Sequence, residues 1–157
     1  MAKYERKLSD IKDWKDYGFT TAMGAKNPWR TIGDTTYILI NTGYVAQVYT
    51  VDFYNLRLYS YQWGSSSTDP RAEYIRTNYN IYNTKTGAVE YVRLDLHQLI
   101  LGKLDTNIYV IDHIDGDHYN NKRSNLHHVT KAENARNRHK TLPTPLKYND
   151  LFFSLTI

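Results

Sequence analysis

The apolar and polar positions of the chain change period twice. From Gly33 to about Asp95, runs dense in β-branched and aromatic residues succeed one another as strands: Thr-Thr-Tyr-Ile-Leu-Ile (35–40), Tyr-Val-Ala-Gln-Val-Tyr (44–49), Ala-Glu-Tyr-Ile-Arg-Thr (72–77), Tyr-Asn-Ile-Tyr (79–82) and Ala-Val-Glu-Tyr-Val-Arg-Leu (88–94). Asn41-Thr-Gly43 and Asn83-Thr-Lys-Thr-Gly87 punctuate them as hairpin turns. Between these strands Asp52 is positioned to cap a short helix running toward Tyr61-Gln-Trp63, and Gly64-Ser-Ser-Ser-Thr-Asp-Pro70 reads as a flexible loop. Residues 1–32 form a mixed lead-in, with Asp10-Ile-Lys-Asp-Trp-Lys-Asp-Tyr17 as a short helix and breaks at Met23-Gly24 and Asn27-Pro28.

After Asp95 the pattern turns helical. Leu96-His-Gln-Leu-Ile-Leu101 is a short helix whose His97 sits among apolar neighbours, so a packed, hydrogen-bonded imidazole is expected there. Ile108-Tyr-Val-Ile111 is a short strand. Thr130-Lys-Ala-Glu133 has the capping-box pattern and starts a helix at about Lys131. On it Asn134 and Arg138 lie four apart and share a face, with Asn137 close by. The order of elements is α+β.

Composition narrows the function classes. With 157 residues, 41% hydrophobic and 23% charged, the chain is one folded domain or a domain with an extension. It has no cysteine, which excludes thiolate zinc sites and disulfides. The polar start lacks the apolar core of a signal peptide, and no apolar run is long enough for a membrane span, so a soluble, intracellular protein is expected. The formal charge of +4 is unevenly spread. Lys122, Arg123, Lys131, Arg136, Arg138, Lys140 and Lys147 face one acid, Glu133, giving +6 between His118 and Lys147 and −2 elsewhere. Such a local excess suits a polyanion. Ten of the 15 tyrosines fall between Tyr37 and Tyr91; sheet packing is the simpler use for them, base stacking the other.

The chemistry concentrates in Val110-Ile-Asp-His-Ile-Asp-Gly-Asp-His118. An EF-hand counted back from Gly116 would begin at Ile111 and end at Lys122, so that pattern fails, and no His-Glu-x-x-His helix is present. A hairpin turn accounts for Asp115-Gly116 but leaves Asp112 and His113 unexplained. Downstream, Asn120-Asn121, Asn125-Leu126, Thr130, Glu133-Asn134 and Arg138 follow with coherent spacing. Together with Asp112-His113 and Asp115-Gly116, these residues resemble the HNH endonucleases common in phages and mobile introns, in the branch with asparagine as third motif residue. The β-rich stretch from Gly33 and the Leu96-His97 segment are similar to what precedes the motif in phage members, so the resemblance spans roughly residues 33–138. Gln98 departs from it, since arginine often follows the histidine.

The resemblance implies a ββα-metal fold at 105–140, a β-rich and DNA-contacting module at 33–104, an N-terminal extension at 1–32 and a tail at 141–157. It implies a metal-dependent DNA endonuclease, nicking or cutting both strands, of phage or homing type and working in the host cytoplasm. Asp112 and Asn134 would be the metal ligands, for Mg²⁺ in the first place and Mn²⁺ in the second. His113 would be the general base and Asn125 would hold the loop and orient it. Lys122, Arg123, Arg136 and Arg138 would contact DNA phosphates. Asp115 and Asp117 are most simply turn formers, and His118 is the imidazole nearest to a ligand role. The alternatives are a non-catalytic DNA-binding protein that retains the HNH scaffold, and a structural β-protein. The apolar tail Leu151-Phe-Phe-Ser-Leu-Thr-Ile157 is a docked strand or a homodimer contact.

Overall fold

The computed structural model describes residues 7–67, 69–136 and 142–151. Three small antiparallel sheets and a few short helices make an α+β fold. The first sheet has the order β1-β2-β3, from Trp29–Ile32, Thr35–Leu39 and Val45–Tyr49. Its period-two pattern buries both faces. Ile38, Ala46 and Val48 point into the main core with Phe53, Leu58, Trp63, Ile75, Leu96 and Tyr119. Leu39 and Val45 point the other way, against Ile11, Phe19 and Leu151. Residues from both ends of the chain thus clad the second face of the sheet.

Several expectations from the sequence need correction. The lead-in forms 3-10 turns at Leu8–Asp10 and Trp14–Tyr17, not a helix over 10–17. A segment that short has no helical stability of its own, and packing decides its path. Ile11 and Phe19 are driven into the core, Gly18 turns left-handed (φ 81°), and the buried Arg30 guanidinium donates to the carbonyls of Tyr17 (3.1 Å) and Leu151 (2.6 Å). Strand β1 begins within this lead-in, with Trp29 opposite Ile38.

Asp52 is not a cap. Helix α1 (Thr50–Asn55) starts after Tyr49, and the buried Asp52 carboxylate instead receives Arg123 Nε at 2.9 and 3.1 Å. The runs 72–77 and 79–82 are not two strands. One strand, β4 (Arg76–Tyr82), pairs with β5 (Val89–Asp95) across the Asn83–Gly87 turn. A turn closed by Ala72 N–H to Asp69 C=O precedes it, and Ile75 is claimed by the core. The loop expected to be flexible is pinned at its start. Gly64 and Arg76 exchange backbone bonds of 2.9 and 3.0 Å, and Ser65 is bound at both backbone groups by the Asn41 amide.

Strand β5 runs directly into α2 (Leu96–Leu101), the helix foreseen there, which buries Leu96, His97 and Ile100. Then come β6 (Tyr109–His113) and β7 (Leu126–Thr130), paired antiparallel, and α3 (Lys131–Arg136). The N-cap half of the box forms, with Thr130 Oγ1 accepting from Glu133 N–H at 3.2 Å, while the Glu133 carboxylate takes the Thr130 hydroxyl at 3.1 Å in place of a backbone N–H.

Candidate active site

The β6–β7 register sets the site. Asp112 lies opposite His127 and His113 opposite Leu126, so consecutive residues of β6 face opposite sides of the hairpin. On one side the Asp112 carboxylate receives His127 Nε2 at 2.9 Å. On the other, His113 is driven inward to 4% exposure. Helix α3 packs against both strands, so Asn134 follows the hairpin closely in space. Asn134 lines a cleft of about 260 Å³ with His97, Gln98, Lys103, Ile111 and His128. Asp112 does not line that cleft, so the described positions bring Asn134 beside His97 and His128, and Asp112 beside His127.

The loop between the strands is built from its own side chains. Asp115 accepts from Asp117 N–H (2.8 Å), from the Asn120 amide (2.9 Å) and from the Asn125 amide (2.9 Å). Asp117 accepts from Tyr119 N–H at 2.9 Å, so both acids serve the turn. Gly116 takes φ 79°, a conformation other residues adopt at a cost. Asn125 donates to the Asn120 carbonyl and accepts from Asp115 N–H, so its bonds tie the two ends of the loop together.

The partner of the His113 ring is a different asparagine. His113 Nε2 lies 2.9 Å from Asn121 Oδ1, and both residues are buried. Asn121 Nδ2 reaches the His118 carbonyl at 3.3 Å, which fixes the amide with its oxygen toward the ring. Asn121 is itself held by the edge of the first sheet: its N–H donates to the Gln47 carbonyl, and Gln47 N–H donates to the Tyr119 carbonyl, both at 2.8 Å. Tyr119 anchors this bracket from the core. Burial pushes its phenol up to about 12, and its hydroxyl bonds Thr42 at 2.9 Å.

Three rings surround the catalytic candidate. Tyr74 stacks on His118 with centroids 4.4 Å apart and on His113 at 5.7 Å, and His97 meets Tyr74 at 4.7 Å and His113 at 5.2 Å. Burial, followed by the neighbouring imidazoles, lowers His97 to about 3. Burial is also the main cause that lowers His113 to about 4, against the opposing bond to Asn121. His118 is lowered too, chiefly by burial. All three imidazoles are therefore neutral at pH 7. His97 is packed as expected, but its buried Nδ1 has no hydrogen-bond partner among the described residues.

Of the basic candidates, Arg123 is held through Nε by Asp52, and the Lys122 ammonium lies over the Tyr49 ring at 5.5 Å. Arg136 is exposed in the last turn of α3, and Arg138 lies outside the described residues. Sequence reasoning gave Asn121, Tyr74 and His127 no role at the site. Asn121 stands in the run Asn120-Asn121 without a spacing rule that assigns it to His113, and Tyr74 reaches the imidazoles only through the tertiary fold.

A hairpin, its connecting loop and a helix carrying these residues define a ββα unit. Residues 97–136 match the family model described as HNH endonuclease. The match covers about a quarter of the chain, so it is this segment that is similar to the family. No curated protein and no solved structure matches the chain.

Proposed function

We propose that the chain is a metal-dependent endonuclease that hydrolyses phosphodiester bonds in DNA, of the phage or mobile-element homing type. The observation that carries this reading is the 2.9 Å contact between His113 Nε2 and Asn121 Oδ1, which assigns the tautomer of the ring. Asn121 Oδ1 is an acceptor only, so Nε2 carries the ring proton and Nδ1 keeps its lone pair. Burial lowers the ring to about 4, which leaves that lone pair unprotonated at working pH but makes it a weaker base than an ordinary imidazole. A water at Nδ1 loses its proton to the ring as its oxygen attacks phosphorus. The bond from phosphorus to the 3′-oxygen breaks, and the leaving oxygen takes a proton from solvent. General-base action of this kind contributes about 10²–10⁴-fold in rate.

The donor chemistry suits a hard divalent cation. Asp112 would offer a carboxylate and Asn134 an amide oxygen, with no thiolate in the chain to compete; their elements pack against each other, but Asn134 lines the cleft and Asp112 does not, so one ion held by both requires the two side chains to converge. The chemistry a bound Mg²⁺ or Mn²⁺ supplies is Lewis-acid polarisation of the phosphate and charge neutralisation at the leaving oxygen. Asp112 also orients His127 through their 2.9 Å contact. Asn125 keeps the loop closed, and Arg136, Arg138, Lys122 and the free end of the Arg123 guanidinium contact phosphates. In this reading the β-rich stretch 33–104 is a DNA-contacting module, clad by Ile11, Phe19 and Leu151 from the flanking segments.

One observation favours a second reading, a DNA-binding module that keeps the scaffold without cutting. His113 is 4% exposed among Tyr74, His97 and His118, so water reaches its ring only if these neighbours shift. Supercoiled plasmid separates the two. The nuclease relaxes it with Mg²⁺ or Mn²⁺ and not with EDTA; the binding module retards it in a salt-sensitive manner and leaves it supercoiled.

A further inference from the structure

The β4–β5 ribbon stands apart from the rest of the fold. Among the described residues each of its strands has only the other as sheet partner, and every residue from Asn78 to Tyr91 is exposed. Two strands alone are marginally stable in water, so the ribbon depends on its root. There Thr77 is buried, Leu96 N–H donates to the Ile75 carbonyl, and Arg76 is bridged to Gly64. The root also adjoins the candidate active site, because Tyr74, stacked on His113 and His118, lies two residues before β4.

The register sorts the ribbon's side chains onto two different faces. One carries Tyr79 opposite Val92 and Ile81 opposite Glu90. The other carries Asn78 opposite Arg93, Asn80 opposite Tyr91, and Tyr82 opposite Val89. On this second face Tyr91 is 80% exposed and Tyr82 62%, and its acid, Asp95, sits at the root engaged by Arg93 Nε at 2.8 Å. Lys85 adds a positive charge at the tip. Amides and a guanidinium are the groups that pair with adenine and guanine edges, and a two-stranded ribbon has the width the major groove admits.

We propose that this second face, Asn78, Asn80, Tyr91 and Arg93, reads base edges in the major groove of duplex DNA beside the cut. The proposal rests on the nuclease reading, because that reading puts DNA at the ribbon's root. Six residue steps of β4 extend about 20 Å, which is roughly six base pairs at ~3.4 Å each. The preference therefore lies on one side of the nick, within about six base pairs of it.

The test is selection of bound duplexes from a randomised library by the full chain in EDTA, for the parent and for the double variant Asn80→Ala/Tyr91→Ala. Both side chains are solvent-exposed, so the variant keeps its fold, which a thermal melt checks. The parent enriches a short motif. The double variant loses the positions of the motif read by Asn80 and Tyr91 and binds the parent's motif about 10–100-fold more weakly. Replacing the motif's purines by 7-deazapurines, which lack the N7 acceptor, weakens the parent by a similar factor and weakens the variant less, through Asn78 and Arg93 alone. A variant that enriches the same motif with the parent's affinity overturns the proposal, as does a parent that enriches none; a protein-binding role for the ribbon gives that first outcome. Failure of the nuclease reading is seen separately, as a parent that does not nick.

Discussion

Replacing Asn121 tests how the imidazole is prepared. In Asn121→Leu the Oδ1 acceptor disappears while the backbone bond to Gln47 stays. The His113 Nε2–H is then buried without a partner, which costs about 1–3 kcal/mol. For a domain of this size that lowers Tm by roughly 3–10 °C. The rate falls further than stability explains, because nothing now holds the proton on Nε2 and the lone pair on Nδ1. Loss of such an orienting partner costs about 10–100-fold. Asn121→Asp restores an acceptor at the same place and recovers most of the lost rate. Single-turnover nicking of supercoiled plasmid, run well below each variant's Tm, measures the effect, and long-range ¹⁵N–¹H correlation of His113 reports the tautomer. If Asn121→Leu nicks at the parent's rate, or Asn121→Asp is as slow as the leucine variant, the role assigned to this bond is wrong.

Three further outcomes follow from particular contacts. Arg123→Ala leaves the Asp52 carboxylate buried and unpaired, and since the arginine is half exposed the loss is about 2–3 kcal/mol by urea unfolding; a variant as stable as the parent but weaker on DNA would make Arg123 a phosphate contact alone. His97 has a folded value of about 3 against 6.5 unfolded, so the unfolded chain binds the extra proton between those limits and stability is lost as pH falls through that window. His97→Phe, which leaves no buried Nδ1 unpaired, should therefore reduce the stability difference between pH 7.5 and pH 4.5 by about 2–3 kcal/mol; an unchanged difference refutes this assignment. Asp112→Asn removes the carboxylate that holds His127 and is proposed to hold the metal, and it should abolish Mg²⁺-dependent nicking while DNA retardation in EDTA persists.

Much of the local structure was legible because it is coded locally. The N-cap at Thr130, the Asn83–Gly87 turn and helix α2 each announce themselves within a few residues, and each stands where its signal lies. The lead-in helix and the Asp52 cap failed for the opposite reason. Their local signals are weak, and distant partners overrule them: Arg30 and the core for the first, Arg123 for the second. At the site, the resemblance to HNH endonucleases singled out Asp112, His113, Asn125 and Asn134, but it did not say which asparagine meets the imidazole. That depends on the edge of β3 gripping the 119–121 segment, a contact between residues more than seventy positions apart. The ring cluster around Tyr74 is hidden for the same reason, since nothing near Tyr74 in sequence marks it as a neighbour of His113.

The central claim is that His113, held by Asn121, is the base of a metal-dependent DNA nuclease. Single-turnover nicking of supercoiled plasmid with Mg²⁺ by the parent and by His113→Ala, each shown folded by its melting curve, tests it most directly. The account predicts a parent that converts plasmid to the open circle and stops on addition of EDTA, and a variant slower by about 10²–10⁴-fold. A folded His113→Ala protein that nicks as fast as the parent, or a parent that cuts equally well in EDTA, would contradict it.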